Sequence, residues 1–258
     1  MIRKVLPFLL LFLVFTSCVP RKKIVYYQNL PSFEDSENNF ETRIKSDDLL
    51  MIIVSAPGDA AKDFNLPIVA VTGTDMFSSS MDMASGQQRV QTYLVDNEGF
   101  IQFPVLGKLE VAGRTKNEVI EMLNEKLSEY LKDYVVNLRI VNFEIVVSGE
   151  VARPGRFTLQ TERITLPEAL AMAGDMTVYG KRDNVLVRRD VNGKKTFNYI
   201  DMTKADFINS PFYYLEQNDE VYVEPNKTKI NSSGVGPNVS VIISATSVLI
   251  ALIAILTR

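Results

Sequence analysis

Residues 97–115 read NEGFIQFPVLGKLEVAGRT, and Lys116-Asn-Glu118 follows at once. Asp96-Asn-Glu-Gly99 has the composition of a turn, because Asp, Asn and Gly tolerate the backbone angles of a chain reversal. Phe100–Phe103 is a short apolar run that continues a hairpin from the strand-like Gln91–Val95, and Leu109–Val111 is another strand. Thr115 and Glu118 have the spacing of a capping box, in which each side chain satisfies the other's backbone N–H. The box predicts a helix to about Lys132, with Val119, Ile120, Leu123, Leu127, Tyr130 and Leu131 on one face. Tyr134–Val141 then reads as a strand. Upstream, Leu49–Val54 and Pro67–Val71 are apolar runs of strand length, and residues 72–90, rich in Gly, Ser and Met, read as a long loop. The order β…ββαβ predicts a mixed α/β unit over 41–142.

A second unit is expected over 143–225. Phe143–Val147 is a strand, Glu150–Gly155 a turn holding Pro154, and Arg156–Leu159 the return strand. Thr165-Leu-Pro-Glu168 is a second capping box, opening a short helix to Ala173 that stops at Gly174. Asn184–Arg189 and Thr196–Ile200 flank Asn192-Gly193, a strong hairpin signal. Glu220–Val223 closes the unit before Pro225. The order ββαβββ suits one helix lying across a curved sheet.

The 258 residues suffice for two domains with terminal segments. A net charge of −3 leaves no electrostatic footprint for nucleic acid. The chain has no His, which removes the commonest general base and metal ligand, and a single Cys, which excludes an intrachain disulfide or thiolate zinc site. Asp47/Asp48 and Asp219/Glu220 are adjacent carboxylates. Adjacent strand residues point to opposite faces and both pairs sit at turns, so a structural role is expected rather than a catalytic dyad. No enzyme activity, cofactor or metal is implied.

The ends are apolar. Arg3 and Lys4 precede an apolar run from Val5 to Phe15, which is of signal-peptide length. Thr16-Ser-Cys18 then resembles the bacterial lipobox. That resemblance implies cleavage after residue 17, a diacylglyceryl group on Cys18, and, with Val19 next, an outer-membrane destination. Residues 18–40 are polar and aperiodic and read as a tether, and 226–238 as a linker. Val239–Leu256 carries no charge and no Pro, holds eleven Val, Ile or Leu residues, and as a helix would reach ~27 Å, close to the ~30 Å hydrocarbon core. Ser240, Ser244, Ser247, Ala251 and Ala254 fall on one stripe of that helix, as small residues do where helices pack closely in lipid or line a wet lumen.

Residues 97–115, together with Ile44-Lys-Ser-Asp-Asp48-Leu-Leu, resemble the signature of the polysaccharide biosynthesis/export family. Asp48, Gly99, Pro104, Gly107 and Gly113 are its turn residues. Val147-Ser-Gly149-Glu-Val-Ala-Arg-Pro154-Gly155-Arg-Phe157 resembles the start of a soluble-ligand-binding β-grasp domain, and Leu215-Glu-Gln-Asn-Asp219-Glu-Val resembles its end. Asp47, Asn218 and Asp175 stand where the family has Gly. Asp and Asn tolerate left-handed backbone, so these turns are expected to persist. The resemblance implies an α+β chain: an export domain, one β-grasp domain and a C-terminal membrane-spanning helix. It further implies a homo-oligomeric ring, often of eight, in the outer membrane. The ring would conduct a capsular or exopolysaccharide passively, with an inner-membrane copolymerase or tyrosine kinase as partner. An inner-membrane chain-length regulator, or a monomeric ligand-binding periplasmic lipoprotein, are the alternatives. The first lacks its coiled coil here, and the second leaves the last helix without a role.

Overall fold

The computed structural model describes residues 21–30, 40–65, 67–69, 88–191, 193–234 and 244–251. The first unit contains β1 (Leu49–Ser55), β2 (Pro67–Val69), β3 (Gln88–Val90), β4 (Thr92–Leu94), β5 (Phe100–Phe103), β6 (Gly107–Glu110), α1 (Lys116–Leu127) and β7 (Val135–Ile140). They form a three-stranded sheet, β4-β1-β7, and two separate two-stranded pairs, β2-β3 and β5-β6. Leu50, Ile52 and Val54 of β1 lie opposite Ile140, Leu138 and Val136 of β7, and all six are buried, so strand alternation sends one face of each strand into the core.

The expected hairpin between 91–95 and 100–103 is not formed. β4 pairs with β1, and β5 pairs instead with β6 across residues 104–106. The intervening turn is held locally: the Asp96 carboxylate accepts from Glu98 N at 3.0 Å and Phe100 N at 2.8 Å. The expected loop over 72–90 ends in β3, and its residues 72–87 lie outside the described residues.

The capping box at α1 is present, with Glu118 accepting from Thr115 N at 2.6 Å and Thr115 Oγ1 accepting from Glu118 N. α1 packs on β7 through Val119, Leu123 and Leu127. It ends at Leu127, not Lys132. Leu131 still turns inward and is buried, whereas Tyr130 stands outside with its ring edge on Phe64.

The second unit contains β8 (Glu144–Gly149), β9 (Gly155–Thr158), β10 (Ile164–Thr165), α2 (Leu166–Met172), β11 (Gly180–Val191), β12 (Lys194–Ile200), β13 (Tyr214–Leu215) and β14 (Glu220–Pro225). The five long strands run in the order β12-β11-β14-β8-β9, with β14 and β8 parallel and the other pairs antiparallel. The ββαβββ order is therefore observed, with two short strands, β10 and β13, added as a pair. The β11–β12 hairpin closes as expected, although Asn192 lies outside the described residues. β11 starts at Gly180 rather than Asn184, with a register shift between Gly180 and Val185. Leu166, Ala169 and Leu170 of α2 are buried against the sheet.

Two connecting segments differ from expectation. Lys227–Gly234, inside the expected linker, is a helix, α3. Residues 21–30, inside the expected tether, lie docked on the second unit. Gln28 N donates to Thr203 O at 2.8 Å, Tyr26 Oη to Asp175 at 2.6 Å, and Asn29 Nδ2 to Asp206 at 2.8 Å. Six rings in sequence, Tyr26, Tyr27, Phe207, Tyr213, Tyr214 and Phe40, run from this strap to the point where the chain enters the first unit. Polarity marked both segments as loops, but the hydrogen bonds and ring contacts that hold the strap are long-range and leave no periodicity in sequence.

The buried side chains of both units form one cluster. Phe143, at the expected domain boundary, is fully buried in it.

Candidate functional site

Two turns with the same local design meet where the units join. In residues 45–48 the backbone turns with Asp47 at φ 69°, and the Asp48 carboxylate accepts from Lys45 N at 2.8 Å. In residues 216–219 Asn218 sits at φ 65°, and the Asp219 carboxylate accepts from Glu216 N at 2.8 Å. Asp48 and Asp219 are both completely buried. The left-handed residue before each Asp is what lets the carboxylate fold back on the turn, a position Asp and Asn occupy at modest cost. Asp175 after α2 is likewise left-handed, at φ 67°, so all three residues expected at left-handed turns adopt that backbone.

The turns are tied together by side chains. Lys45 Nζ lies 2.6 Å from Glu216, and Glu216 in turn lies 2.7 Å from Arg189 Nη1. Arg189, 6% exposed in its side chain, closes on Asp219 through Nε and through Nη2 at 2.7 Å, and also donates to Tyr214 O. Its guanidinium lies over the Phe212 ring. Two amides complete the joint. Asn142 accepts from Leu49 N and donates to Asp47 O, and Gln217 donates to Asn142 O and accepts from Glu144 N. Amides suit this position because each carries a donor and an acceptor, so each spans two backbone groups at the junction.

The two carboxylates differ electrically. Burial pushes the Asp48 carboxyl up to about 6, against the smaller opposing pull of the Lys45 N–H and ammonium, and Asp47 adds to the rise. Its Oδ1 has no hydrogen-bond partner among the described residues. Burial also raises Asp219, opposed by the Arg189 ion pair. Gln217 lies within the 215–221 motif without its role being marked there, and Arg189 carries no motif signal, so only the fold reveals what the two do.

The other motif residues fall into two groups. Gly99 and Gly113 join the Asp48 turn: Val111 N and Ala112 N donate to Gly99 O, Gly113 N donates to Ile44 O, and Asp47 N donates to Val95 O. At Gly99, φ 88°, a β-carbon would lie 2.7 Å from that of Ala112. Pro104 and Gly107 lie apart at the β5–β6 tip, beside the left-handed Val105. Gly149, Pro154 and Gly155 belong to a third place, the turn between β8 and β9, which rests on the end of α2 through Arg153 N to Ala173 O and Ala152 N to Asp175 O. At Gly149, φ 86°, a β-carbon would lie 2.1 Å from Val223 O.

Cys18, Ser240 and Ala254 lie outside the described residues. Ser244, Ser247 and Ala251 lie in the exposed helical stretch 244–251, and the rest of the expected 239–256 helix is outside the described residues. Among those described, no helix is long and apolar enough to cross a membrane, and no group of His, Cys, Asp and Glu side chains could hold a metal ion. An open groove of about 650 Å³ separates the β5–β6 hairpin from α1, with Phe100, Lys108, Arg114 and Met122 in its walls.

Residues 36–141 match the family described as polysaccharide biosynthesis/export protein. This chain is therefore similar to the polysaccharide export family over the whole of its first unit, β1 to β7 with α1. It is 32% identical over 190 residues to the EPS I polysaccharide export outer membrane protein EpsA of Ralstonia solanacearum, an alignment covering 72% of this chain and 48% of that protein. It is 34% identical over 159 residues to the EpsA of Ralstonia nicotianae, covering 59% of this chain and 39% of that protein. The chain therefore spans less than half the length of these two relatives.

Proposed function

We propose that this chain is a component of an outer-membrane channel through which exopolysaccharide leaves the cell by passive conduction. The observation that carries the reading is the similarity over 190 residues to an EPS I polysaccharide export outer membrane protein. A chain without His and with paired, buried carboxylates at turns supports a scaffold role rather than bond-breaking chemistry. In this reading residues 41–142 are the export domain and 143–225 the β-grasp domain. Identical subunits, often eight in rings of this family, surround a cavity. An inner-membrane copolymerase or tyrosine kinase delivers the polymer. Cys18 carries lipid and fixes the chain to the outer membrane. Residues 239–256 form a membrane-spanning stave whose Ser240, Ser244, Ser247, Ala251 and Ala254 face neighbouring staves or the lumen.

The test is deletion and complementation in the producing cell, read as secreted polymer. Deletion is expected to abolish secretion and the wild-type chain to restore it. The detergent-solubilised full chain is expected to size as a multimer, and Ser244→Leu/Ser247→Leu/Ala251→Leu to lose the multimer with its other domains still folded. Cys18→Ala is expected to stop incorporation of labelled palmitate. Undiminished secretion in the deletion strain sinks the export role. A monomer in detergent sinks the ring.

A further inference from the structure

We infer that the open face of the five-stranded sheet, around Phe197, Tyr199 and Tyr222, is a contact surface for the sugar rings of a polysaccharide chain. The inference rests on the export reading and specifies where the cargo touches the protein.

One face of this sheet is covered by α2 and the core, and Val185, Val187, Val221, Val223, Ile145 and Val147 point into it. The residues between them point outward. On a solvated antiparallel face these positions are ordinarily polar. Here β12 presents Phe197, 59% exposed, and Tyr199, 65% exposed, and β14 presents Tyr222, 37% exposed. Register places Tyr199 opposite Leu186, Leu186 opposite Tyr222, and Tyr222 opposite Ser148. With strands ~4.8 Å apart and ~3.3 Å per residue, Tyr222 stands about 10 Å across the sheet from Tyr199, and Phe197 about 7 Å along it.

The charges around these rings are matched in sign. Arg188 pairs with Glu220 at 2.5 Å, and Ser148 Oγ donates to the same carboxylate. Arg156 pairs with Glu144, and Lys181 and Asn184 share Glu224 at 2.8 Å each. Asp190 lies opposite Lys195. Cations already paired in this way give no focused positive field for a nucleic-acid backbone or an anionic lipid surface. A protein–protein interface depletes its centre of charged residues, whereas here ion pairs stand among the rings. The combination fits a pyranose chain. Its polarised C–H faces are attracted to the electron-rich faces of Tyr and Phe, and its hydroxyls both donate to and accept from Glu220, Arg188, Asn184 and the Tyr hydroxyls.

The experiment uses the full chain in detergent and, as probe, oligosaccharides cut from the producing cell's own exopolysaccharide. Binding is read from tyrosine fluorescence, since the chain has no Trp, and by saturation-transfer NMR. Phe197→Ala/Tyr199→Ala and Tyr222→Ala are each expected to weaken binding at least tenfold and to lower secretion at unchanged protein level. Tyr199→Phe keeps the ring and is expected to bind nearly as the wild type does. The side chains lie outside the core, so an unchanged circular dichroism melt verifies folding. The proposal is overturned if the wild type does not bind the probe, or if the double Ala variant binds and secretes normally. It is equally overturned if that variant loses only its assembly with other copies while sugar binding stays intact. Each of these leaves the export reading standing, because that reading fails only if deletion of the whole chain spares secretion.

Discussion

A carboxylate with one oxygen bonded and the other dry is costly to ionise, and Asp48 is such a group. Its folded pKa of about 6 lies above the unfolded value near 3.8, so its contribution to stability is fully present below pH 3.8 and is lost as pH rises through 6. The rise corresponds to about 3 kcal/mol at most. Asp48→Asn keeps the acceptor for Lys45 N and removes the titration, so its stability is expected to be flatter than the wild type's between pH 4 and 7 in urea melts. An unchanged slope would contradict the assignment. Burial raises Asp219 as well, but its carboxylate faces the buried Arg189 guanidinium, which opposes the rise. Asp219→Ala leaves the buried Arg189 with Glu216 as its carboxylate partner and is expected to cost about 2–3 kcal/mol at pH 7, measured by denaturant unfolding. Gly149→Ala meets both a left-handed backbone and the Val223 carbonyl, and is expected to cost more than ~2 kcal/mol in the same measurement.

At the scale of elements, the strap 21–30 acts as part of the second unit although it is remote in sequence. Its hold is distributed over Gln28, Asn29, Tyr26 and the Tyr27–Phe207 ring contact at 5.3 Å. Tyr27 holds φ 55°, a left-handed conformation that costs roughly 1–2 kcal/mol for a non-Gly residue, and the packing of its ring offsets that cost. Tyr27→Ala keeps the strained backbone and loses the ring. It is expected to release the strap first, seen as early proteolytic cleavage between residues 18 and 40, and to destabilise the second unit by about 1–2 kcal/mol. Cleavage no faster than in the wild type would show that the strap is held by its hydrogen bonds alone. The capping boxes of α1 and α2 were legible in advance because a cap is a contact between residues three apart, and both are present.

Across the whole molecule, the two units share one buried cluster, and Lys45, Glu216, Arg189 and Asp219 link them in a single chain of charges. The folded region is therefore expected to unfold in one calorimetric transition, with calorimetric and van't Hoff enthalpies equal. Gln217→Ala leaves Asn142 O and Glu144 N unpaired at the joint and is expected to lower that transition without splitting it, while two separated transitions in the wild type would contradict a shared core.

Sequence alone determined what depends on near neighbours: the two capped helices, the Asn192-Gly193 hairpin, the alternation of β7, and the left-handed turns at Asp47, Asn218 and Asp175. It placed the Asp48 and Asp219 turns separately, because each is a four-residue device. Tertiary structure decided what depends on residues distant along the chain. The partner of β4 and of β5, the folding of 21–30 onto the second unit and the pairing of the two Asp turns through Glu216 are set by which surfaces meet. Side-chain periodicity fixes which face of a strand is apolar, but edge hydrogen bonds are indifferent to sequence, so only closure of the core selects the strand that takes them.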